Sequence, residues 1–307
     1  METCDLAAAL KLEADQVRPD PLAAALERIS AEAFDCSLRP TATAGEAFQA
    51  IAVSCLCRFK RSEALLARGG DPEALHRARI ALRQLRTALS IFRPICEDDR
   101  FAHHAVELRW LAATMNEARD LDVLIARLDA PPPTLTAARE RACAHALAAF
   151  ASARTSKLVR ELVEWLADGV WLEVRNPADV TAAEFASTAL DRLRRKLREK
   201  GRHLSTLDDA GLHEVRITAK KLRYAAEFFS GLFSSDEARR REKRFVKAVH
   251  RLQDALGELR DVALAPDALE RGQVPRVAWP DFPDRDLLVE QAAIAFERVF
   301  ARKRYWR

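Results

Sequence analysis

Glycine and proline are scarce in this chain of 307 residues, with 9 and 13 copies respectively. The abundant residues are Ala, Leu, Arg and Glu, which all favour helices, and no alternating strand pattern appears. We therefore predict an all-α fold. No apolar run reaches 18 residues, which disfavours a membrane-spanning helix. The first residues, including Glu2 and Asp5, lack the basic-then-apolar pattern of a signal peptide. We expect a cytoplasmic protein with no membrane partner.

Metal-binding and disulfide patterns are also lacking. The chain has six cysteines, none of which forms a C-x-x-C pair, and no His-rich metal spacing surrounds them. In a reducing cytosol such cysteines are expected to be buried free thiols. We expect neither a metal site nor a cofactor. The six residues are Cys4, Cys36, Cys55, Cys57, Cys96 and Cys143.

The net charge of +4 is too small to indicate a polyanionic partner by itself. The arrangement of the 50 Lys and Arg residues therefore matters more than their number. Helical periodicity predicts eight helices that carry most of them. Their expected ranges are 45–68, 71–93, 100–129, 135–168, 179–203, 208–233, 236–264 and 284–303. Residues 1–42 are expected to form a peripheral N-terminal extension.

An internal repeat organises the rest of the chain. The segment from His76 to Arg86 (HRARIALRQLR) returns 137 residues later, from His213 to Arg223 (HEVRITAKKLR). A weaker echo relates the segments 116–120 (NEARD) and 257–261 (GELRD) at an offset of 141. Each repeat therefore spans about four helices. We predict one domain over 43–303, with repeats at about 43–168 and 179–303, folded as two pseudo-symmetric four-helix bundles.

The repeated helix carries two parallel stripes. In the first copy His76, Arg79, Arg83 and Arg86 fall within an arc of about 80°. The second copy repeats this pattern with His213, Arg216, Lys220 and Arg223. An apolar stripe lies beside each basic one. It consists of Leu75, Ala78, Leu82, Leu85, Leu89 and Phe92 in the first copy, and of Leu212, Val215, Ala219, Leu222 and Phe229 in the second.

Rows of like charge on one helix face repel each other. Such rows can be solvated, or paired with carboxylates such as Asp120, Asp261 or Glu227, or neutralised by an external anion. Because two rows are related by the repeat, we favour a shared basic channel that suits a linear polyanion. Arginine binds phosphate oxygens bidentately, and lysine adds a compact charge. On the fifth predicted helix, Arg194 and Arg198 share a face and could extend the channel.

These motifs resemble the CHAD domain, the conserved histidine α-helical domain. The resemblance covers about 43–303 and rests on the segments 76–92, 116–123 (NEARDLDV) and 213–229. It implies two pseudo-symmetric four-helix bundles around a basic pore that binds inorganic polyphosphate without cleaving it, and members often associate with cytoplasmic polyphosphate granules. The ligands implied by position are His76, Arg79, Arg83, Arg86, His213, Arg216, Lys220 and Arg223.

The segment 44–76 is similar to the CHAD half of proteins that fuse this domain to a CYTH triphosphatase. The CYTH E-x-E-x-K motif is missing, since no two glutamates occur at positions i and i+2. We therefore expect that the protein has no triphosphatase activity and is not an enzyme.

Three alternatives stay open from the sequence. The first is a phosphohydrolase or metal-dependent phosphate enzyme that uses His76 and His213, although clustered carboxylates are not apparent. The second is nucleic-acid binding, which the shortage of stacking aromatics and of known motifs disfavours. The third is a helical scaffold in which the basic channel is incidental.

Overall fold

Helices make up the fold of the described chain, which comprises residues 38–39, 41–67, 73–172, 180–271, 274–276 and 279–307 of a computed structural model. The α-helices are α1 (Ala44–Ala67), α2 (Ala74–Cys96), α3 (Phe101–Ala113), α4 (Asn116–Ile125), α5 (Pro133–Phe150), α6 (Ala153–Ala167), α7 (Ala182–Lys200), α8 (Asp209–Phe228), α9 (Asp236–Arg271) and α10 (Arg285–Phe300). Two 3-10 turns add η1 (Val170–Leu172) and η2 (Leu204–Thr206). Within these ranges only an isolated bridge pairs Thr43 with Thr181. The predicted all-α class is confirmed.

Two of the eight predicted helices are broken in the structure. The predicted helix over 100–129 is wrong as one element, because a turn at residues 114–115 separates α3 from α4. The predicted helix over 135–168 is likewise interrupted between α5 and α6. There Ser152 is the N-cap of α6, and its Oγ accepts a hydrogen bond of 3.2 Å from the backbone N–H of Thr155. A serine cap of this kind starts a new helix.

Side chains cap the starts of helices α7 and α8. Thr181 and Glu184 form a capping box at the start of α7. Asp208 accepts a hydrogen bond of 2.8 Å from the backbone N–H of Gly211 at the start of α8. These caps fix the ends of the helices that carry the second repeat.

The two predicted apolar stripes lie in the core. All of their residues are buried except Leu75, which is half-buried. In the first half of the chain α1 packs on α2, and in the second half α7 packs on α8. Helix α8 also packs on α2, which joins the two halves. The pseudo-two-fold relation of the halves stays a prediction.

Beyond residue 303, where the predicted domain ends, the described chain still packs against the helices. Tyr305 and Trp306 are each 2% exposed, and the Trp306 ring packs edge-on to Phe245 with centroids 5.2 Å apart. The Trp306 indole N–H donates a hydrogen bond of 3.0 Å to Asp191 on α7. The predicted peripheral extension over 1–42 lies outside the described residues, apart from residues 38–39 and 41–42.

A buried histidine on α3 gives the fold a pH-dependent stability. His104 is 2% exposed, its ring packs 4.8 Å from that of Trp165, and neither ring nitrogen has a hydrogen-bond partner among the described residues. Burial, with a smaller contribution from His103, lowers the pKa of His104 from 6.5 to about 4. The folded protein therefore resists protonation of this ring.

Stability is expected to fall as the pH drops from about 6.5 to about 4, because the unfolded chain takes up a proton that folded His104 rejects. The loss is on the order of 3 kcal/mol when complete. Urea unfolding of His104→Leu at several pH values should show a flatter profile than the wild type. His145→Leu, at an exposed position, is the control. Equal pH dependence in wild type and His104→Leu would contradict this assignment.

Candidate functional site

Helices α2 and α8 meet at the phenylalanines that close the two repeats. The Phe92 and Phe229 ring centroids are 5.8 Å apart, and Phe185 from α7 stacks on Phe92 at 4.6 Å. Beside them, the Lys221 ammonium donates a hydrogen bond of 2.9 Å to the hydroxyl of Ser90. These contacts hold the two repeated helices together and direct their basic rows toward a common space.

That space is a cavity of about 820 Å³ lined by α2, α3, α4, α8 and α9. Both repeats contribute to the wall of this space, which we call the basic cavity. Its Lys and Arg residues outnumber its three carboxylates, Glu97, Asp120 and Asp261. The cations are Arg79, Arg83, Arg86, Arg93, Arg109, Arg119, Arg216, Lys220, Lys221 and Arg260. His76 and His213 also line it.

The cations of the basic cavity are mostly unmatched by internal acids. Arg93 pairs with Glu97 on its own helix. Within the described ranges, none of the other nine has a carboxylate oxygen within 4.0 Å. Asp261 lies 3.9 Å from Arg127, which is bonded to Glu258 at 3.0 Å. The excess positive charge of the cavity is therefore not cancelled by these acids.

Several polar atoms of the cavity wall also lack hydrogen-bond partners among the described residues. Among the described residues, the buried Nε atoms of Arg79 and Arg216 have no hydrogen-bond acceptor, and His76 Nδ1 has no partner. Arg79 makes only a long hydrogen bond of 3.5 Å to the side-chain oxygen of Asn116. An acceptor-rich ligand can satisfy donors of this kind.

The two basic rows act on each other electrostatically. Burial lowers the pKa of Arg216, and Arg260 and Arg83 lower it further, whereas Asp261 opposes the shift. Burial also lowers the pKa of Arg86, with further lowering by Arg109 and Arg83. Arg83 belongs to α2 and Arg216 to α8, and both line the same cavity, so the two rows converge on it.

Lys220 occupies the centre of this repulsion. Burial is the largest cause that lowers its pKa, and Arg83, Arg216, Arg260 and Arg223 add to the effect. The result is a pKa of about 7 in place of 10.5. Burial and the neighbouring cations both disfavour a further positive charge on this amine.

The two histidines are held in their neutral form. Burial lowers the pKa of His76, and Arg119 lowers it further. Burial likewise lowers the pKa of His213, followed by Arg260 and Arg216. Arg260 donates a hydrogen bond of 2.9 Å to His213 Nδ1, since a guanidinium has no acceptor. His213 therefore carries its proton on Nε2 when neutral.

Seven of the ten predicted ligands line the basic cavity: His76, Arg79, Arg83, Arg86, His213, Arg216 and Lys220. Arg223 does not line it. Its guanidinium bonds to Gln253 at 2.9 Å and to Glu227 at 2.6 Å, and it stacks on Tyr224. The alternative pairing of a row cation with Glu227 therefore holds for this residue.

Arg194 and Arg198 also lie elsewhere. Arg194 is 9% exposed, donates a hydrogen bond of 3.0 Å to the Phe300 carbonyl and stacks on the Phe300 ring. Arg198 stacks on the same Phe300 ring, with its guanidinium 4.7 Å from the centroid. Neither extends the basic cavity, because α10 contributes an aromatic surface that attracts both guanidinium groups.

The structure adds cations that the sequence did not single out as ligands. Arg119 and Arg260 line the cavity. They occupy equivalent positions in the weaker repeat, which could have identified them from the sequence. Lys221 adjoins a predicted ligand. Arg109 on α3 has no repeat counterpart and no signal in the sequence.

Two further properties bear on function. Across the described ranges, no three His, Cys, Asp or Glu side chains are grouped so that they could hold a metal ion. Within the same ranges, no helix is both long and apolar enough to traverse a lipid bilayer.

Comparison with known proteins places the chain in a family. The CHAD domain profile matches residues 50–270, which is most of the chain. The crystal structure of the CHAD domain from the plant Ricinus communis is similar, with a TM-score of 0.64 and 28% identity over 85% of this chain and 88% of that one. PptA from Streptomyces chartreusis shares the fold with a TM-score of 0.54, at 22% identity over 85% of this chain and 96% of that one. No curated protein sequence matches the chain. The chain belongs to the CHAD domain family.

Proposed function

We propose that this chain binds inorganic polyphosphate in the basic cavity and does not cleave it. The observation that carries the proposal is the charge of the wall: ten Lys and Arg side chains surround the cavity, and only Arg93 among them has a described carboxylate within 4.0 Å. Concentrating like charge at a half-buried site is unfavourable unless a ligand offsets it.

The shape of the wall favours a linear anion. His76 and Arg86 are ten residues apart on α2, which corresponds to about 15 Å along a helix. Helix α8 supplies His213, Arg216 and Lys220 to the same cavity. A chain with a negative charge on each unit can follow both rows at once, whereas a single phosphate ion can reach only one part of them.

We assign direct contacts to the seven predicted ligands that line the cavity, together with Arg109, Arg119 and Arg260. Guanidinium groups bind phosphate oxygens through paired hydrogen bonds. A phosphate next to His76 or His213 favours the charged imidazolium, so bound polyphosphate should raise both histidine pKa values. Arg223, which is already bonded to Gln253 and Glu227, contributes through its charge.

The bound polyphosphate is expected to stay intact. Metal-assisted hydrolysis of phosphates uses metals held by clustered carboxylates, and the described residues hold no group of three or more such ligands. Incubation of the protein with polyphosphate and Mg²⁺ is expected to release no orthophosphate. Release that is abolished by His76→Ala would instead support the phosphohydrolase alternative.

Binding is expected to weaken steeply with salt, because phosphate contacts release condensed counterions. With seven or more contacts and about 0.7 ions per contact, by analogy with single-stranded nucleic acids, log Kd should rise with log salt at a slope of about 5. Calorimetric titration at several ionic strengths measures this slope. A salt-independent Kd, or no binding at low salt, would contradict the proposal.

Nucleic acid is expected to compete poorly. Duplex DNA is wider than its major groove, which alone measures about 12 Å, so we expect a cavity of about 820 Å³ to exclude it. Competition of RNA or DNA against labelled polyphosphate tests this, and equal competition by duplex DNA would move the binding site to the outer surface.

The proposed ligand also suggests where in the cell the protein is found. We propose that the protein resides in the cytoplasm and associates with polyphosphate granules there. Microscopy of a tagged chain in cells with and without polyphosphate tests the association, which should disappear when the polymer is absent.

A further inference from the structure

We propose that Lys220 is a modification site whose amine is acylated by small acyl phosphates that enter the basic cavity. This site has two features: it has an amine on the cavity wall, and the cations around it attract anionic reagents. Acylation of Lys220 does not require that the protein bind polyphosphate. Only the effect of acylation on polyphosphate binding rests on the proposed function.

The first feature is the environment of the amine. The charged groups that act on it are Arg83 from α2, Arg216 and Arg223 from α8, and Arg260 from α9. The carboxylates of the cavity are Glu97, Asp120 and Asp261. None of them lies within 4.0 Å of the Lys220 ammonium, and the described residues give it no hydrogen-bond acceptor.

The neighbouring Lys221 differs from Lys220 because its ammonium already has a hydrogen-bond acceptor. Its ammonium donates a hydrogen bond to Ser90 at 2.9 Å, and its pKa is lowered by burial and by Lys196 and Lys200. For Lys220 the pKa is about 7, so a large share of the amine is neutral at physiological pH. Only the neutral amine is a nucleophile.

The second feature is the positive charge of the cavity, which favours reagents that carry a phosphate group. An acyl phosphate combines a phosphate group, which the guanidinium groups bind, with an electrophilic carbonyl carbon. The neutral amine attacks that carbon and forms a C–N bond. The bond from the carbonyl carbon to the phosphate oxygen breaks, the phosphate leaves with its electron pair, and one amine proton passes to phosphate or water. The products are an amide and inorganic phosphate, without any change of oxidation state.

Acylation removes a positive charge at the point where the two rows converge. It also replaces a compact ammonium by a larger neutral amide. If the proposed function holds, the modified protein binds polyphosphate more weakly, and bound polyphosphate protects Lys220 from the reagent.

Treatment of the full chain with acetyl phosphate, followed by peptide mass spectrometry, tests the inference. We expect Lys220 to be acetylated at least about tenfold faster near pH 7 than the exposed Lys243 and Lys247 on α9, because ordinary lysines are almost entirely protonated there. The rate at Lys220 should level off just above neutrality. A rate no higher than that of Lys243, or one that keeps rising to about pH 10, would overturn the inference.

Arg83→Gln provides a second measurement that does not depend on losing the nucleophile. Removal of this neighbouring charge should shift the pH of half-maximal acetylation of Lys220 upward, whereas Arg244→Gln, on the exposed surface of α9, should leave it unchanged. An unchanged profile in Arg83→Gln would count against the site. Binding of polyphosphate to untreated protein is measured separately, so that its failure refutes the proposed function while the acetylation result decides this inference.

Discussion

Replacement of Arg79, Arg83, Arg216 and Lys220 together by alanine is expected to weaken polyphosphate binding at least about 100-fold. Hydrogen bonds to charged groups contribute about 1.5–3 kcal/mol each, so the loss of four exceeds the roughly 2.7 kcal/mol that a 100-fold change requires. The salt slope should fall by about 3. Calorimetric titration, or anisotropy with labelled polyphosphate, measures both quantities.

The matched control is alanine at Lys243, Arg244, Lys247 and Arg251. These four side chains are exposed on α9 and lie outside the basic cavity. The control removes the same number of basic side chains, so a change of less than about threefold is expected if location, and not the number of basic residues, decides binding. Equal losses in the two variants would contradict a cavity site.

The quadruple variant should also remain folded. Arg83, Arg216 and Lys220 repel one another, and the described residues offer none of the four side chains a carboxylate within 4.0 Å. Their removal relieves that repulsion, so the melting temperature is expected to stay the same or rise. A scaffold whose basic cavity is incidental would show little change in binding.

Phe92→Ala is expected to lower the free energy of unfolding by about 3–5 kcal/mol. The side chain is fully buried, and its ring meets Phe48 from α1, Phe185 from α7 and Phe229 beside α8 at centroid distances of 5.4, 4.6 and 5.8 Å. Truncation leaves a cavity where the two halves of the molecule join. Chemical denaturation measures the loss.

Leu287→Ala serves as the control for this substitution, because Leu287 on α10 is 51% exposed. Its effect should stay within about 0.5 kcal/mol. A loss below about 1 kcal/mol for Phe92→Ala would mean that the phenylalanine contacts do not hold the repeated helices together.

The helical fold could be predicted from the sequence because apolar periodicity and scarce glycine and proline act locally. The stripe of Leu82, Leu85 and Leu89 identifies a buried face without any knowledge of its partner. The helix breaks were missed for a different reason. Ser152 could have been recognised as an N-cap, but the apolar pattern continues across it.

The residues of the candidate site that belong to the internal repeat could be predicted from the sequence. Two related rows of cations implied a shared space, and seven of the ten named residues line one cavity. The sequence could not place Arg194 and Arg198, because the Phe300 ring that attracts them is more than a hundred positions away along the chain. Arg109 was missed since its part in the cavity depends on how α3 packs beside α2.

A crystal structure of the protein with a short polyphosphate chain would locate the bound anion. We expect connected phosphate density in the basic cavity, within hydrogen-bond distance of guanidinium groups from both α2 and α8. Phosphate density confined to the outer faces of α7 or α9, with an unoccupied cavity, would contradict this expectation.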